Sequence, residues 1–201
     1  MHTYPAIYEE GIPPWDSLEK AEITIPQWIM PPEGLAAFAR LCYDQEKLKL
    51  RLQAQEKKIL SRFSGLTDMV CNDSCLEFFF SPVEGDLRYF NFEFNPRGSL
   101  YLGYGVDRDH SHRLYIPEYR ELFAVSPFSV AGGWGIDFSI PLTFIRIYAP
   151  AFTLETGRAF RANFYKCGDE TEVPHYLVWN TVESPVPDFH RPECFGKIVL
   201  E

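Results

Sequence analysis

Polar and apolar positions repeat every two residues along much of this chain. Between Asp73 and Asn95 (DSCLEFFFSPVEGDLRYFNFEFN), Phe90, Phe92 and Phe94 alternate with Asn91, Glu93 and Asn95. Successive side chains of a strand point to opposite faces, so this stretch predicts a hairpin with one aromatic face and one hydrogen-bonding face. KLKLRLQAQ is built from residues that favour helices. Its Leu48, Leu50, Leu52 and Ala54 nevertheless alternate with Lys49, Arg51 and Gln53, which is a strand period. The span Ala36 to Gln55 therefore reads as a hairpin turning at Asp44–Glu46.

The rest of the chain follows the same rhythm. The N-terminal segment, about residues 1–34, carries two Pro-Pro pairs and reads as irregular, with one strand near Glu22–Pro26. Gly98–Tyr104 reads as a strand and 105–119 as a long polar loop. Glu121–Val130 and Trp134–Ile140 bracket a tight turn at Gly132–Gly133. A short helix is expected over Pro141–Tyr148, with proline in its first turn. Phe160–Cys167 and His175–Trp179 read as strands joined by Gly168–Glu172, and Gly196–Leu200 closes the chain. About ten short strands divided by turn signals predict an all-β fold. The architecture expected is an antiparallel β-sandwich, jelly-roll or immunoglobulin-like, with one short helix and residues 1–201 forming one domain.

Composition supports that picture. Seventeen Phe and eleven Tyr favour sheet, while sixteen Pro and thirteen Gly favour many turns. A net charge of −9 repels phosphate, which argues against nucleic acid and anionic membrane as partners. No apolar run is long enough to span a bilayer. The N-terminus lacks a basic stretch followed by an apolar one, so the chain as it stands reads as cytoplasmic, or as extracellular if a signal has been trimmed. Five cysteines (Cys42, Cys71, Cys75, Cys167 and Cys194) form no disulfide framework and suit reduced thiols. Dinucleotide, phosphate-loop, nucleophile-elbow and zinc-protease motifs are absent.

Candidate chemistry lies on the polar faces. Glu77, Asn91, Glu93 and Asn95 can pair with vicinal sugar hydroxyls, which both donate and accept hydrogen bonds. Arg161, Asn163 and Tyr165 alternate with Ala162 and Phe164 and would extend the set from a neighbouring strand. Trp179 offers a flat apolar ring for a pyranose; core packing is the competing role. His190 either orients its loop or reaches a ligand beside Trp179. Trp134 reads as core, whereas Trp15 and Trp28 suit a groove or a sheet edge. A solvated outer face is the plain alternative for the polar set. Two further functions stay open: a glycoside hydrolase using Glu77 and Glu93, which needs one buried acid with a raised pKa, and a protein-interaction sandwich without a small ligand. In the loop DRDHSH, Asp107, Asp109, His110 and His112 are weak metal candidates, without EF-hand spacing. Cys71-x-x-x-Cys75 lacks a second pair at zinc spacing.

Several segments in order resemble family 9 carbohydrate-binding modules, known as appendages of xylanases. FARLCYDQEKLKLRLQAQE is similar to that family's early hairpin, DSCLEFFFSP to its Asp-Ser strand and GGWGIDFSIPL to its Gly-Gly turn. FRANFYK is similar to a strand with a central Asn, and Trp179 with DFHRPECFG and KIVL to the closing tail. The resemblance implies a jelly-roll-like sandwich, structural calcium and a site clamping a terminal sugar between two tryptophans. Its ligand would be a mono- or oligosaccharide, or a glycan chain end, bound without cleavage. Trp179 corresponds to one clamp residue, Glu77 to an acidic contact, and Asn91 and Glu93 to polar contacts. The second clamp tryptophan belongs near Val70, where this chain reads MVCND.

Overall fold

The alternating segments become strands in the computed structural model, which describes all 201 residues. The strands are β1 (Thr3–Tyr8), β2 (Ala21–Ile23), β3 (Ile25–Pro26), β4 (Ala36–Tyr43), β5 (Lys47–Gln55), β6 (Cys75–Ser81) and β7 (Tyr89–Phe94). They continue as β8 (Leu100–Gly105), β9 (Ser111–Arg113), β10 (Ser126–Val130), β11 (Gly133–Pro141), β12 (Ala159–Gly168), β13 (His175–Val178) and β14 (Gly196–Leu200). Two short helices, α1 (Tyr119–Leu122) and α2 (Leu142–Tyr148), complete the set. The hairpin β4–β5 turns at Asp44, whose carboxylate accepts the N–H groups of Glu46 and Lys47.

A smaller sheet runs β10-β11-β5-β4, with β2 beside β4. A larger sheet runs β14-β12-β6-β7-β8-β9, with β13 sharing the β12 edge and β3 beside β13. The N-terminal strand β1 is the seam between them. Thr3–Ala6 pair with β14 and Ile7–Tyr8 pair with β4, both in parallel. All other ladders are antiparallel. The first 34 residues are thus less irregular than expected: they supply this seam, anchored by the Tyr4 hydroxyl, which accepts the Leu41 N–H at 2.9 Å and donates to the Glu19 carbonyl at 2.8 Å. The polar segment 105–119 also contains a strand, β9, and the stretch read as a strand from Glu121 begins inside α1.

Facing sides of the sheets enclose an aromatic core. Phe78, Phe80, Phe90, Phe92 and Phe94 of the larger sheet meet Leu50, Leu52, Ile136 and Phe138 of the smaller one. Phe138 lies with its ring centroid 4.7 Å from Phe94 and 6.0 Å from Phe92. Helix α2 brings Phe144 within 5.6 Å of Phe90 and closes one end. Phe92→Ala should therefore cost about 3–5 kcal/mol of stability, read by urea unfolding.

One charged group enters this core. On β12, Lys166 falls on the same parity as Ala162 and Phe164, so it points inward. Its ammonium lies 3.3 Å from a Glu56 carboxylate oxygen, and donates to the Cys167 carbonyl at 2.7 Å and to His175 Nε2 at 2.8 Å. The Trp134 indole N–H and the Ser74 hydroxyl also donate to Glu56. His175 donates from Nδ1 to the Val173 carbonyl, and burial, then the Lys166 charge, push its pKa down to about 4. Removing one partner strands a buried charge. Lys166→Met should destabilise by roughly 3–5 kcal/mol, and adding Glu56→Gln should restore much of the loss in the same unfolding assay.

Candidate functional site

Every residue of β6 and β7 is buried, on both faces. The polar face is therefore not a wet exterior. Loops roof it, and a cavity of about 390 Å³ remains beneath them. The floor follows from strand register. Glu77 on β6 stands directly across from Glu93 on β7 and from Tyr165 on β12; Glu93 in turn stands across from Tyr101 on β8.

One wall is aromatic. Trp28, just after β3, packs its ring edge-on to Tyr176 and tilted against Phe189, each with centroids 5.5 Å apart. Trp28 holds a φ of 57°, a left-handed conformation that non-glycine residues rarely adopt. The Ile29 N–H reaches back to the Gln27 carbonyl at 2.6 Å, closing a tight turn centred on Trp28, and the indole N–H donates to the Ser184 carbonyl at 2.8 Å. Phe189 stacks on Tyr165 at 4.1 Å. Tyr101, which carries the Arg113 guanidinium 4.2 Å over its ring, lines the far side. Strand order separates Tyr176 from Tyr101 by four strand spacings, about 19 Å of floor.

The floor is acidic and buried. Glu77 accepts from the Cys167 thiol at 2.9 Å, and Glu93 accepts from the Asn91 amide at 2.7 Å. Burial, then the neighbouring Glu93 charge, hold the Glu77 carboxyl well above its usual range. Burial pushes Glu93 up to about 7, against the pull of its Asn91 bond. Burial also raises Asp169, which lines the cavity. Two like charges facing across adjacent strands cannot both ionise cheaply away from water, so one carboxyl keeps a proton it can donate. Arg108, at the rim, pairs with Asp188 at 3.2 Å. His190 is half-buried, and its pKa falls to about 4 because burial disfavours the cation, with Arg108 adding to it. Its Nδ1 lies 2.7 Å from the Tyr89 hydroxyl, whose own pKa burial raises, so the hydroxyl donates and the imidazole proton sits on Nε2, which has no protein partner.

The expected residues divide into two groups. Glu77, Glu93 and His190 line the cavity, and Asn91 supports Glu93 from beside it. The other Asn91 side-chain atom, Oδ1, is buried without a partner over Gly103, where a Cβ would meet it at 2.3 Å. The expectation for Trp179 is corrected. Val178 shares the Glu77 face, so the next residue turns to the opposite one. Trp179 is 4% exposed, packs edge-on against Phe164 and lies over Gly196 in the main core. Asn163 and Arg161 are also structural. Asn163 exchanges hydrogen bonds with the Asn180 backbone where the β12 edge passes from β14 to β13, and Arg161 donates to the carbonyls of Glu193 and Phe195. The loop residues Asp107, Asp109, His110 and His112 do not converge: Asp107 is occupied by the N–H groups of Asp109 and His110 and by the His110 ring. Tyr101, Tyr176, Phe189 and Asp169 carried no signal beyond ordinary strand or loop composition.

A family model for carbohydrate-binding family 9 matches residues 16–200. The chain belongs to carbohydrate-binding family 9. Among solved structures, a candidate carbohydrate-binding protein from Bacteroides uniformis is 26% identical and superposes with a TM-score of 0.83, covering 100% of this chain and 98% of that one. A family 9 module from Caldicellulosiruptor kristjanssonii, solved with cellotriose and with glucose, matches at 11% and 12% identity and TM-score 0.68. Those matches cover 100% of this chain and 94% and 96% of the module. At that identity they establish the fold alone. No curated protein matches the chain.

Structural calcium, expected from the family resemblance, needs six to eight oxygen ligands. The one group of three His, Cys, Asp or Glu side chains that can close on an ion is Cys75, Glu77 and Cys167, and thiols do not suit calcium. Buried Asp73 already accepts from the Arg62, Phe63 and Asn95 nitrogens, and Glu56 from the groups around Lys166. These donor sets do not fit calcium.

Two outcomes follow from this arrangement. Trp179→Ala should cost about 3–5 kcal/mol in urea unfolding, and Trp28→Ala less than half of that. In the folded state Glu93 keeps, up to about pH 7, a proton that the unfolded chain gives up near the ordinary glutamate value of 4.5, so stability falls as pH rises through that window. Glu93→Gln should accordingly raise stability by roughly 2–3 kcal/mol at about pH 8 and change it little at about pH 4, measured by thermal unfolding.

Proposed function

We infer that this protein is a non-catalytic carbohydrate-binding domain whose site is the cavity over the larger sheet. The observation that carries the reading is the meeting of an aromatic wall, led by Trp28, with a buried pair of carboxyls in one pocket. Sugars need both: a flat ring for their C–H faces and paired donors and acceptors for their hydroxyls. Glu77 and Glu93, sharing a proton, offer both kinds of partner, and His190 Nε2 adds a donor. Trp28 takes the platform role expected of Trp179. Family membership supports the ligand class, and the complexes of the Caldicellulosiruptor kristjanssonii module with glucose and cellotriose support a mono- or oligosaccharide. The cavity volume suits a small ligand or a chain end rather than the side of a polymer.

Hydrolysis is the weaker reading. Glycosidases set their two carboxyls on either flank of the scissile bond. Glu77 and Glu93 rise from neighbouring strands of one floor and meet a bound sugar from the same side.

Titration calorimetry across a panel of sugars tests the site. Trp28→Ala should weaken binding about tenfold or more, the worth of one stacked ring. Unchanged affinity in that variant would remove Trp28 from the site. Sustained release of reducing sugar by the unmodified protein, lost in Glu77→Gln, would overturn the non-catalytic reading.

A further inference from the structure

We propose that the cavity selects an unacetylated amino sugar, with its ammonium group held by Glu77 and Glu93; this rests on the carbohydrate reading and narrows it to one sugar class. The argument is an inventory of charge. Four carboxyls line the cavity: Glu77, Glu93, Asp169 and Asp188. Arg108 is the one guanidinium among the lining residues, and it is taken up by Asp188 and by the Pro187 carbonyl. His190 is neutral, with Nδ1 accepting from Tyr89. Glu77 and Glu93 therefore face the cavity with a thiol and an amide as their protein donors and no cation bonded to either; Arg108 acts on both, and Arg113 on Glu93, only through the longer-range field. A cation is close at hand in the sequence, because Lys166 precedes Cys167. Strand parity turns it through the sheet to Glu56 instead.

Buried acids without a cation are costly, and acids facing each other across strands more so. A neutral sugar would leave that cost standing, since hydroxyls bring hydrogen bonds but no charge. An ammonium group brings charge-assisted bonds to both carboxyls and lets both ionise. Trp28 and Tyr176 line the same cavity and add apolar ring surface for the sugar's C–H groups. A bare metal ion would use none of that wall. Acetylation of the nitrogen removes the charge and adds bulk, so the same site should reject the N-acetyl form.

The test is calorimetry on the full chain at neutral pH and matched ionic strength. The ligands are glucosamine, N-acetylglucosamine and glucose, with their β-linked dimers, and methylamine as a control for charge alone. Glucosamine or its dimer should bind about tenfold or more tighter than the matching neutral sugars, the worth of one hydrogen bond between charged groups. In Glu77→Gln with Glu93→Gln, the ratio of glucosamine to glucose affinity should fall towards one. Equal or tighter binding of the neutral sugars overturns the inference while leaving the carbohydrate reading in place. Methylamine binding as tightly as glucosamine, or a preference that survives in the double variant, overturns it as well. Failure of every sugar to bind strikes the carbohydrate reading itself.

Discussion

The central strands β6 and β7 are enclosed on both faces, and most of the molecule answers to that constraint. A strand with one wet face can carry any polar residues there. A strand covered twice must find partners for each of them. On the inner face the solution is hydrocarbon, a packed set of phenylalanines against the smaller sheet. On the outer face it is mixed. Phe79, Tyr89 and Tyr165 join a second, smaller core with Val178, Phe189 and Phe195. Asn95 binds the loop at Phe63 and the Asp73 carboxylate. Of β6 and β7, Glu77 and Glu93 alone line the cavity that forms the proposed site.

The same enclosure explains why the site is assembled from so many places. The roof comes from chain segments near residues 28, 70, 108 and 188, far apart in sequence. Packing in the second core and hydrogen bonds to backbone carbonyls hold them in position: the Gln27 N–H to Tyr176, the Asp169 N–H to Cys71, and the Trp28 indole to Ser184. The left-handed backbone at Trp28 belongs to this logic. Strain of that kind persists where surrounding bonds over-determine it, and here it sits at a residue that lines the cavity. Carbohydrate-binding family 9 thus appears here with its sandwich intact, and the aromatic wall of the cavity comes from a different part of the chain than the resemblance suggested.

Alternation made the strands legible. Leu48, Leu50, Leu52 and Ala54 point inward as the two-residue period requires, and so do Phe90, Phe92 and Phe94. The carboxyls Glu77 and Glu93 could be paired from the hairpin alone, because register follows from a hairpin's two strands. β1 escaped notice because its partners, β14 and β4, are distant in sequence and parallel to it, a pairing that leaves no local turn to read. Trp179 was misassigned for a related reason. Its strand carries apolar residues on both faces, so nothing in HYLVW tells which parity meets the core and which meets the cavity.

By itself the sequence determined the all-β class, most strand boundaries, the aromatic core and the acid pair, since each is written in local periodicity. Tertiary structure alone decided which face of β13 looks into the cavity, and that Trp28 and not Trp179 forms its wall. Those outcomes depend on how sheets twist and loops close over them, and contacts between distant segments leave no mark on the spacing of residues along the chain.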